Sequence, residues 1–539
     1  MSFLVSPGVR IREIDATNVV PAVSSSIGAF AGAFKWGPVS EIVDIGSENQ
    51  LASVFGTPDS ATYKYFLVAA GFLRYANALK VVRVATDGQA NAVGTAWSAK
   101  YPGALGNSLK VSVITAGATN FSAWEYANEF DSEPGTSSYA ASLGKTSAND
   151  EMHIVVVDED GAFTGTAGTV LEKYAYVSQA SDAKKDDGSV NYYKEVIANQ
   201  SAYIQWEADI ATLENIGDTV VSVTTSFDTE ATPVSESLVS GADDHLPTAA
   251  ELQAAYDLFE DAETVDVSLL FGVPDESGNT MANYLISIAE SRKDCMAFVS
   301  PPVSATANAA TPAANVKAWA DALTSTSYAA ADSSALYVYD KYNDVYRWIA
   351  AAGHIAGLCA NTDNVADAWF SPAGVNRGQL LNVVKLAFNP KKVDRDTLYK
   401  ARVNPIVSFP GQGTFLYGDK TLLSKPSAFD RINVRRLFIV LEKAIATAAK
   451  AQLFEFNDDF TRAQFRNLVE PFLRDVRGRR GVTDFLVVCD STNNTSQIVD
   501  ANQFVADIFI KPTRSINFIT LNFIATRTGV QFNEIAGAA

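Results

Sequence analysis

The chain has 539 residues, of which 47% are hydrophobic and 19% charged, and it carries a formal net charge of −19. That length exceeds what one hydrophobic core serves and predicts three or four domains. No apolar run reaches the roughly 18 residues of a membrane span, and Met1–Pro7 lacks the basic and apolar regions of a signal peptide. The three cysteines, Cys295, Cys359 and Cys489, are widely spaced and form neither a disulfide framework nor a metal motif, which suits a reducing cytoplasm.

The charge is unevenly divided. Residues 96–245 hold 23 acidic and 7 basic side chains, and no arginine occurs between Arg83 and Arg292. Residues 425–481 reverse the balance, with 12 basic and 7 acidic. The acidic stretch suits a solvated outer surface and the basic one an acidic partner.

In chain order, Ser6-Pro7-Gly8 is a turn, and Val9-Arg10-Ile11-Arg12-Glu13-Ile14 alternates as a β-strand. Ala22–Phe34 reads as a small-residue strand, and Ser47-Glu48-Asn49-Gln50 as a capping box opening a short helix closed by Gly56. A helix bearing Phe66, Ala70 and Leu73 on one face precedes a strand at Leu79–Val84. From about 96 to 240 the texture turns to Gly, Ser, Thr and Ala with short alternating strands such as Met152–Val157, which predicts a β-rich insert. Strand Val265–Val273, helix Met281–Arg292 and strand Cys295–Val299 form a β-α-β unit. Helix Val316–Leu323, strand Ala335–Tyr339 and helix Ala350–Ala360 extend it.

In the last third, Val434, Phe438, Leu441, Ile445 and Ala448 recur at helical spacing, as do Phe465, Leu468, Val469, Phe472, Leu473 and Val476. The pattern predicts two amphipathic helices with arginines on their outer faces. Asp484–Asp490 is a buried-type strand and Gln503–Lys511 a period-two strand. Ile516–Ile524 is a run of β-branched and aromatic residues that would template pairing with another chain if left open. Such a strand either closes the chain's own sheet or is donated to a neighbour.

Catalytic motifs are scarce. Leu143-Gly144-Lys145-Thr146 mimics the tail of a phosphate-binding loop without its first glycine, and a surface loop is the better reading. Asp243-Asp244-His245 has metal-ligand chemistry, but His153 and His354 offer no partners, and a solvated linker is expected there. Three histidines in the whole chain leave little for acid–base chemistry near neutrality. Arg462, Arg466, Arg474, Arg477, Arg479 and Arg480 form the main cationic cluster. Without interleaved aromatics it suits a solvated face or an acidic protein partner better than nucleic acid.

Several motifs, in order, resemble contractile phage tail sheath proteins of the T-even type. They are Trp369-Phe370-Ser371-Pro372-Ala373-Gly374-Val375-Asn376-Arg377-Gly378, Gly413–Leu422, Ile432–Leu437, Asn457-Asp458-Asp459, Phe485–Asp490 and Lys511-Pro512. Ser6–Val9, Phe34–Pro38 and Phe55–Pro58 add to the match, which covers roughly 1–95 and 365–535 and leaves the insert unplaced.

The resemblance implies an α/β and α+β multidomain chain. Its expected parts are an N-terminal arm (1–20), a discontinuous α/β middle domain (21–95 and 241–368), a β-rich acidic inserted outer domain (96–240), an α+β core domain (369–512) and a C-terminal strand and arm (513–539). It implies arm strands exchanged between subunits, through Val9, Ile11, Glu13, Ile14, Ile516, Phe518, Ile519, Leu521 and Phe523. A tail-tube contact is expected at Arg474, Arg477, Arg479 and Arg480. The expected function is a structural subunit, not an enzyme, with no cofactor and no metal. It polymerises around a tail tube, contracts to drive the tube through the host envelope, and belongs to the virion after assembly in the host cytoplasm. Its expected partners are itself, the tube protein, and baseplate and tail terminator proteins, with no direct nucleic acid and no membrane insertion. The alternatives are the sheath of a phage-derived injection system or bacteriocin and, in another class, an α/β enzyme with an unfamiliar site.

Overall fold

A computed structural model describes residues 23–86, 88–117, 121–276 and 278–517. Among the described residues the chain divides into two compact units, one spanning 23–368 with 372–444, the other 369–371 with 445–517.

The larger unit is built on a seven-stranded sheet in which strands from both sides of the insert interleave. The first segment supplies β1 (Gly28–Gly32), β2 (Ile42–Ile45), α1 (Glu48–Phe55), α2 (Tyr63–Leu73) and β3 (Leu79–Arg83). Ser47 caps α1 by accepting from the Gln50 N–H, while the Gln50 side chain accepts from Gly46 N–H rather than from Ser47 as a full capping box would. Beyond the insert come α5 (Ala249–Asp257), β10 (Leu269–Phe271), α6 (Thr280–Arg292), β11 (Met296–Val299), α7 (Val303–Thr306), α8 (Pro312–Asp321) and β12 (Ala329–Asp332). With β16 (Val403–Asn404) at one edge, the strand order is β16-β12-β11-β10-β1-β3-β2, parallel throughout except for the β2 edge. Strands buried on both faces read as continuous small or apolar runs, as in Gly28–Gly32 and Ala329–Asp332.

Phe30, Phe72 and Phe271 stack at the sheet centre, with ring centroids 5.2–5.4 Å apart along the series. Helix α9 (Ala352–Val365) crosses α2 at backbone contact, since a Cβ on Gly353 would stand 2.1 Å from the Val68 carbonyl oxygen.

The strand expected at Ala335–Tyr339 does not extend the parallel sheet. β13 (Leu336–Asp340) instead starts an antiparallel sheet with β14 (Val345–Ile349) and β15 (Val383–Leu386), and β12 supplies the parallel strand. After α10 (Lys392–Lys400), β16 (Val403–Asn404) closes one edge of the seven-stranded sheet, and the hairpin β17 (Ile406–Phe409) and β18 (Gly413–Leu416) follows it in the same unit. A two-residue strand is too short to show a period in sequence.

The insert holds β4 (Trp97–Ala99), β5 (Leu109–Thr115), α3 (Ser138–Ser142), β6 (Glu151–Asp158), β7 (Thr169–Ser178), α4 (Tyr193–Gln200), β8 (Ile204–Trp206) and β9 (Val234–Ser237). Its main sheet is antiparallel, ordered β7-β6-β5-β9. Trp36, from the turn after β1, enters the insert's core and meets Tyr101 and Phe163 edge-on at 5.4 and 5.1 Å.

The smaller unit holds the end of α11 (Ile432–Ala449), then α12 (Asp459–Gly478), β19 (Val482–Val488), α13 (Ser496–Asp500) and β20 (Asp507–Pro512). Asp458 caps α12 by accepting from the Thr461 N–H at 2.9 Å. β19 and β20 pair antiparallel, Phe485 opposite Ile510 and Val487 opposite Ile508.

Candidate assembly surfaces

The residues with catalytic types serve the fold. His153 stacks flat on Phe130 at 4.1 Å. Its Nε2 lies 2.9 Å from the Ser132 carbonyl, and its Nδ1 accepts from the Tyr176 N–H at 3.0 Å. Those partners define a neutral imidazole, and burial holds its pKa below the usual value. His354 is buried beside Tyr75, and burial pushes its pKa down to about 3. Gly144 and Lys145 lie in an ordinary loop after α3, and Lys145 Nζ donates to the Val223 carbonyl at 2.7 Å.

His245 does not sit in the solvated linker expected. It is buried at the neck of the insert, with Nε2 3.2 Å from Asp243 Oδ2 and 3.9 Å from Asp59 Oδ2. Asp243 also accepts from the Ala104 N–H at 2.7 Å. Burial alone would raise the Asp243 pKa, but His245, this N–H and Arg83 draw it down. Arg83, fully buried, donates to the carbonyls of Gly37 and Pro102 at 2.9 and 2.6 Å. Sequence reasoning missed this role, although Arg83 stands at the edge of the arginine-free stretch. Among the described residues no group of three or more His, Cys, Asp or Glu side chains could hold a metal, and no helix is long and apolar enough to cross a membrane. A groove of about 410 Å³ includes Glu276, Asn279, Ser304 and Trp319 but brings no nucleophile to a base.

The smaller unit carries the features suited to assembly. β19 and β20 form a two-stranded ribbon with both outer edges unpaired among the described residues. The buried strand expected at Asp484–Asp490 is therefore half exposed, with Leu486 and Phe509 facing solvent. The alternation in β20 holds, Ile508 and Ile510 being more covered than Asp507 and Lys511. A two-stranded ribbon is marginal alone, and its free edges invite added strands. The loop before α12 exposes Phe454 and Phe456, and Phe460 in its first turn is exposed too. Ile516 is exposed and outside any strand, whereas Val9, Ile11, Glu13, Ile14, Phe518, Ile519, Leu521 and Phe523 lie outside the described residues.

The arginines do not all face outward as expected. Arg435 is buried, its guanidinium within 4.2 Å of the ring centroids of Tyr328 and Phe429, and Arg436 is buried on Asp363. Arg462 folds back on Asn457 and Asp459 at the start of α12. Arg474, Arg477, Arg479 and Arg480 cluster at the exposed C-terminal end of α12. Arg474 pairs with Glu470 at 3.8 Å, Arg477 lies over Phe485, and Arg479 lies over Trp369 and pairs with Asp475.

This architecture matches one family along most of the chain. Residues 26–84 match the tail sheath protein Gp18 domain III N-terminal region, 247–422 the phage tail sheath protein central domain, and 424–526 the phage tail sheath C-terminal domain. The tail sheath protein of Enterobacteria phage T4 is 33% identical, the alignment covering 99% of this chain and 100% of that one. The tail sheath protein of Vibrio phage KVP40 is 32% identical with the same coverage. The chain thus belongs to the phage tail sheath protein family, a family of structural proteins. The fold is shared with a sheath tail protein from Listeria innocua (TM-score 0.57, 12% identity, 92% of this chain and 93% of that one). It is shared too with the helical sheath of the anti-feeding prophage in its contracted state (TM-score 0.54, 13% identity, 97% and 100%).

Proposed function

We propose that this chain is the subunit of a phage contractile tail sheath, a virion component assembled in the host cytoplasm that polymerises around a tail tube. It contracts by rigid-body rearrangement of subunits, driving the tube through the host envelope for genome ejection. The observation that carries the proposal is the ribbon β19–β20, unpaired on both edges among the described residues, in a chain aligned end to end with tail sheath proteins. In this reading the arms 1–20 and 513–539 add strands to the ribbons of neighbouring copies, so subunits stay joined while they move. The insert 96–240 forms the outer domain, and the arginines at the end of α12 face the tube. Baseplate and terminator proteins bind the ends of the polymer.

Deleting residues 1–20 tests the arm model. The expected product is a folded monomer, native by circular dichroism, that forms no tubes under the electron microscope. Normal tubes from the truncated chain refute arm exchange.

A further inference from the structure

One face of the antiparallel sheet β14-β13-β15 is left uncovered among the described residues. β13 turns Leu336, Val338 and Asp340 inward, leaving Tyr337 and Tyr339 on the outer face. There Trp348, Tyr337, Tyr346 and Tyr339 form a continuous strip, with successive ring centroids 4.5, 5.5 and 5.2 Å apart. Lys385 of β15 lies over two of these rings, 4.6 Å from Tyr337 and 5.5 Å from Trp348. Tyr339 and Tyr346 are each about half exposed, and Val384, beside Lys385, is more so. Four adjoining rings on an open sheet face mark a contact surface, because apolar area of this size is otherwise kept from water.

The charges identify the occupant. Lys385 is the cation over the strip, and Asp344 accepts from the Tyr339 hydroxyl at its end, whereas residues 96–245 of the same chain carry 7 basic and 23 acidic side chains. In the insert, Glu125, Asp131 and Glu133 stand exposed in one loop. An aromatic strip topped by Lys385 on one part and a strongly acidic surface on another make the chain complementary to its own copies in a head-to-side sense. Head-to-side contacts that do not close generate helical polymers.

We propose that the Tyr337–Trp348–Lys385 strip docks the acidic insert of a second copy of this chain in the assembled sheath. The proposal rests on the sheath reading above. The test uses the full-length protein. With the native cysteines buried, Val384→Cys supplies a maleimide target beside the strip. Labelling is expected to slow at least tenfold on polymerisation. Lys385→Glu combined with Tyr346→Ser is expected to raise the critical concentration for polymerisation at least fivefold, with the monomer's melting temperature unchanged. Adding Glu125→Lys, Asp131→Lys and Glu133→Lys is expected to recover part of that loss. Equal labelling in monomer and polymer, leaving the strip open to some other ligand, overturns the docking proposal while the sheath reading stands. A wild-type chain that never polymerises overturns both.

Discussion

Arg436 grips Asp363 with both ends of its guanidinium, at 2.7 and 2.6 Å, and neither side chain is more than 8% exposed. The pair joins α11 to α9 and reaches further. Arg436 also donates to the carbonyls of Cys359 and Ser25, and the Ser25 hydroxyl donates to Asp363 at 2.6 Å. Ser25 lies near the first described residue, so the root of the N-terminal segment is tied into the core of the larger unit. Burial works against the charge on Arg436, yet Asp363 holds its pKa above the ordinary value.

Removing one partner of such a pair leaves a buried charge uncompensated, so Arg436→Leu is expected to cost about 3–5 kcal/mol. Arg436→Leu with Asp363→Leu is expected to recover most of that loss, because the desolvation penalty goes with the second charge. Urea unfolding of the two variants measures the difference. A double variant no more stable than the single one contradicts this account.

Trp36 fastens the insert to the sheet. Its ring fills the insert's core while its backbone belongs to the turn after β1. Trp36→Ala is expected to destabilise by about 3–5 kcal/mol. The effect should concentrate in the insert, read as faster proteolysis within 96–240 than within 249–365. Uniform cleavage across both segments argues against a local fastening.

Asp332 gives the fold a pH dependence. It is buried at the end of β12, accepts from the Ser300 hydroxyl and the Ser334 N–H, and burial raises its pKa to about 7. An unfolded aspartate titrates near about 3.9. Between those values the folded chain holds a proton that the unfolded chain has lost, so this group's contribution falls as pH rises from about 4 to 7 and then levels. Asp332→Asn is expected to flatten that slope, the variant gaining on the wild type as pH rises from about 4 to 7 and keeping that gain above it. Melting curves across pH 4–8 check it, and parallel curves for the two proteins dismiss the assignment.

What the sequence made legible follows from period and capping. The helices α6, α11 and α12 each present an apolar face at helical spacing, and a face of that kind has one way to be buried, whereas α2 is apolar throughout and buried on every side from Tyr65 to Phe72. Periodicity is silent about which cation enters the core. Arg435 and Arg436 sit on α11 beside the apolar series, and only their long-range partners Ser327, Tyr328 and Asp363 make them interior residues. The burial of His245 is hidden in sequence for the same reason, since its acidic neighbour Asp59 is 186 positions away. The open ribbon was readable as strands but not as edges, because pairing depends on what else reaches the sheet.

The cluster at the end of α12 divides into residues with different work. Arg479 lies over Trp369, whose indole N–H donates to the Arg479 carbonyl at 3.1 Å, and Gly481 leaves no room for a Cβ beside Val476 and Trp369. Arg479 is thus part of the packing where α12 passes into β19. Arg474 and Arg480 are exposed, and the side chain of Arg474 is 63% accessible. If the cluster meets an acidic tube, Arg474→Glu with Arg480→Glu should weaken sheath–tube co-assembly several-fold at low salt and little at high salt, where exposed charges are screened. The monomer's stability should stay within about 0.5 kcal/mol of wild type, as for other surface changes. Arg479→Glu should instead lower the melting temperature, because it disturbs the Trp369 contact. Co-sedimentation with purified tubes across a salt series separates these outcomes. Unchanged co-assembly of the Arg474/Arg480 variant at low salt leaves this end of α12 as a solvated face.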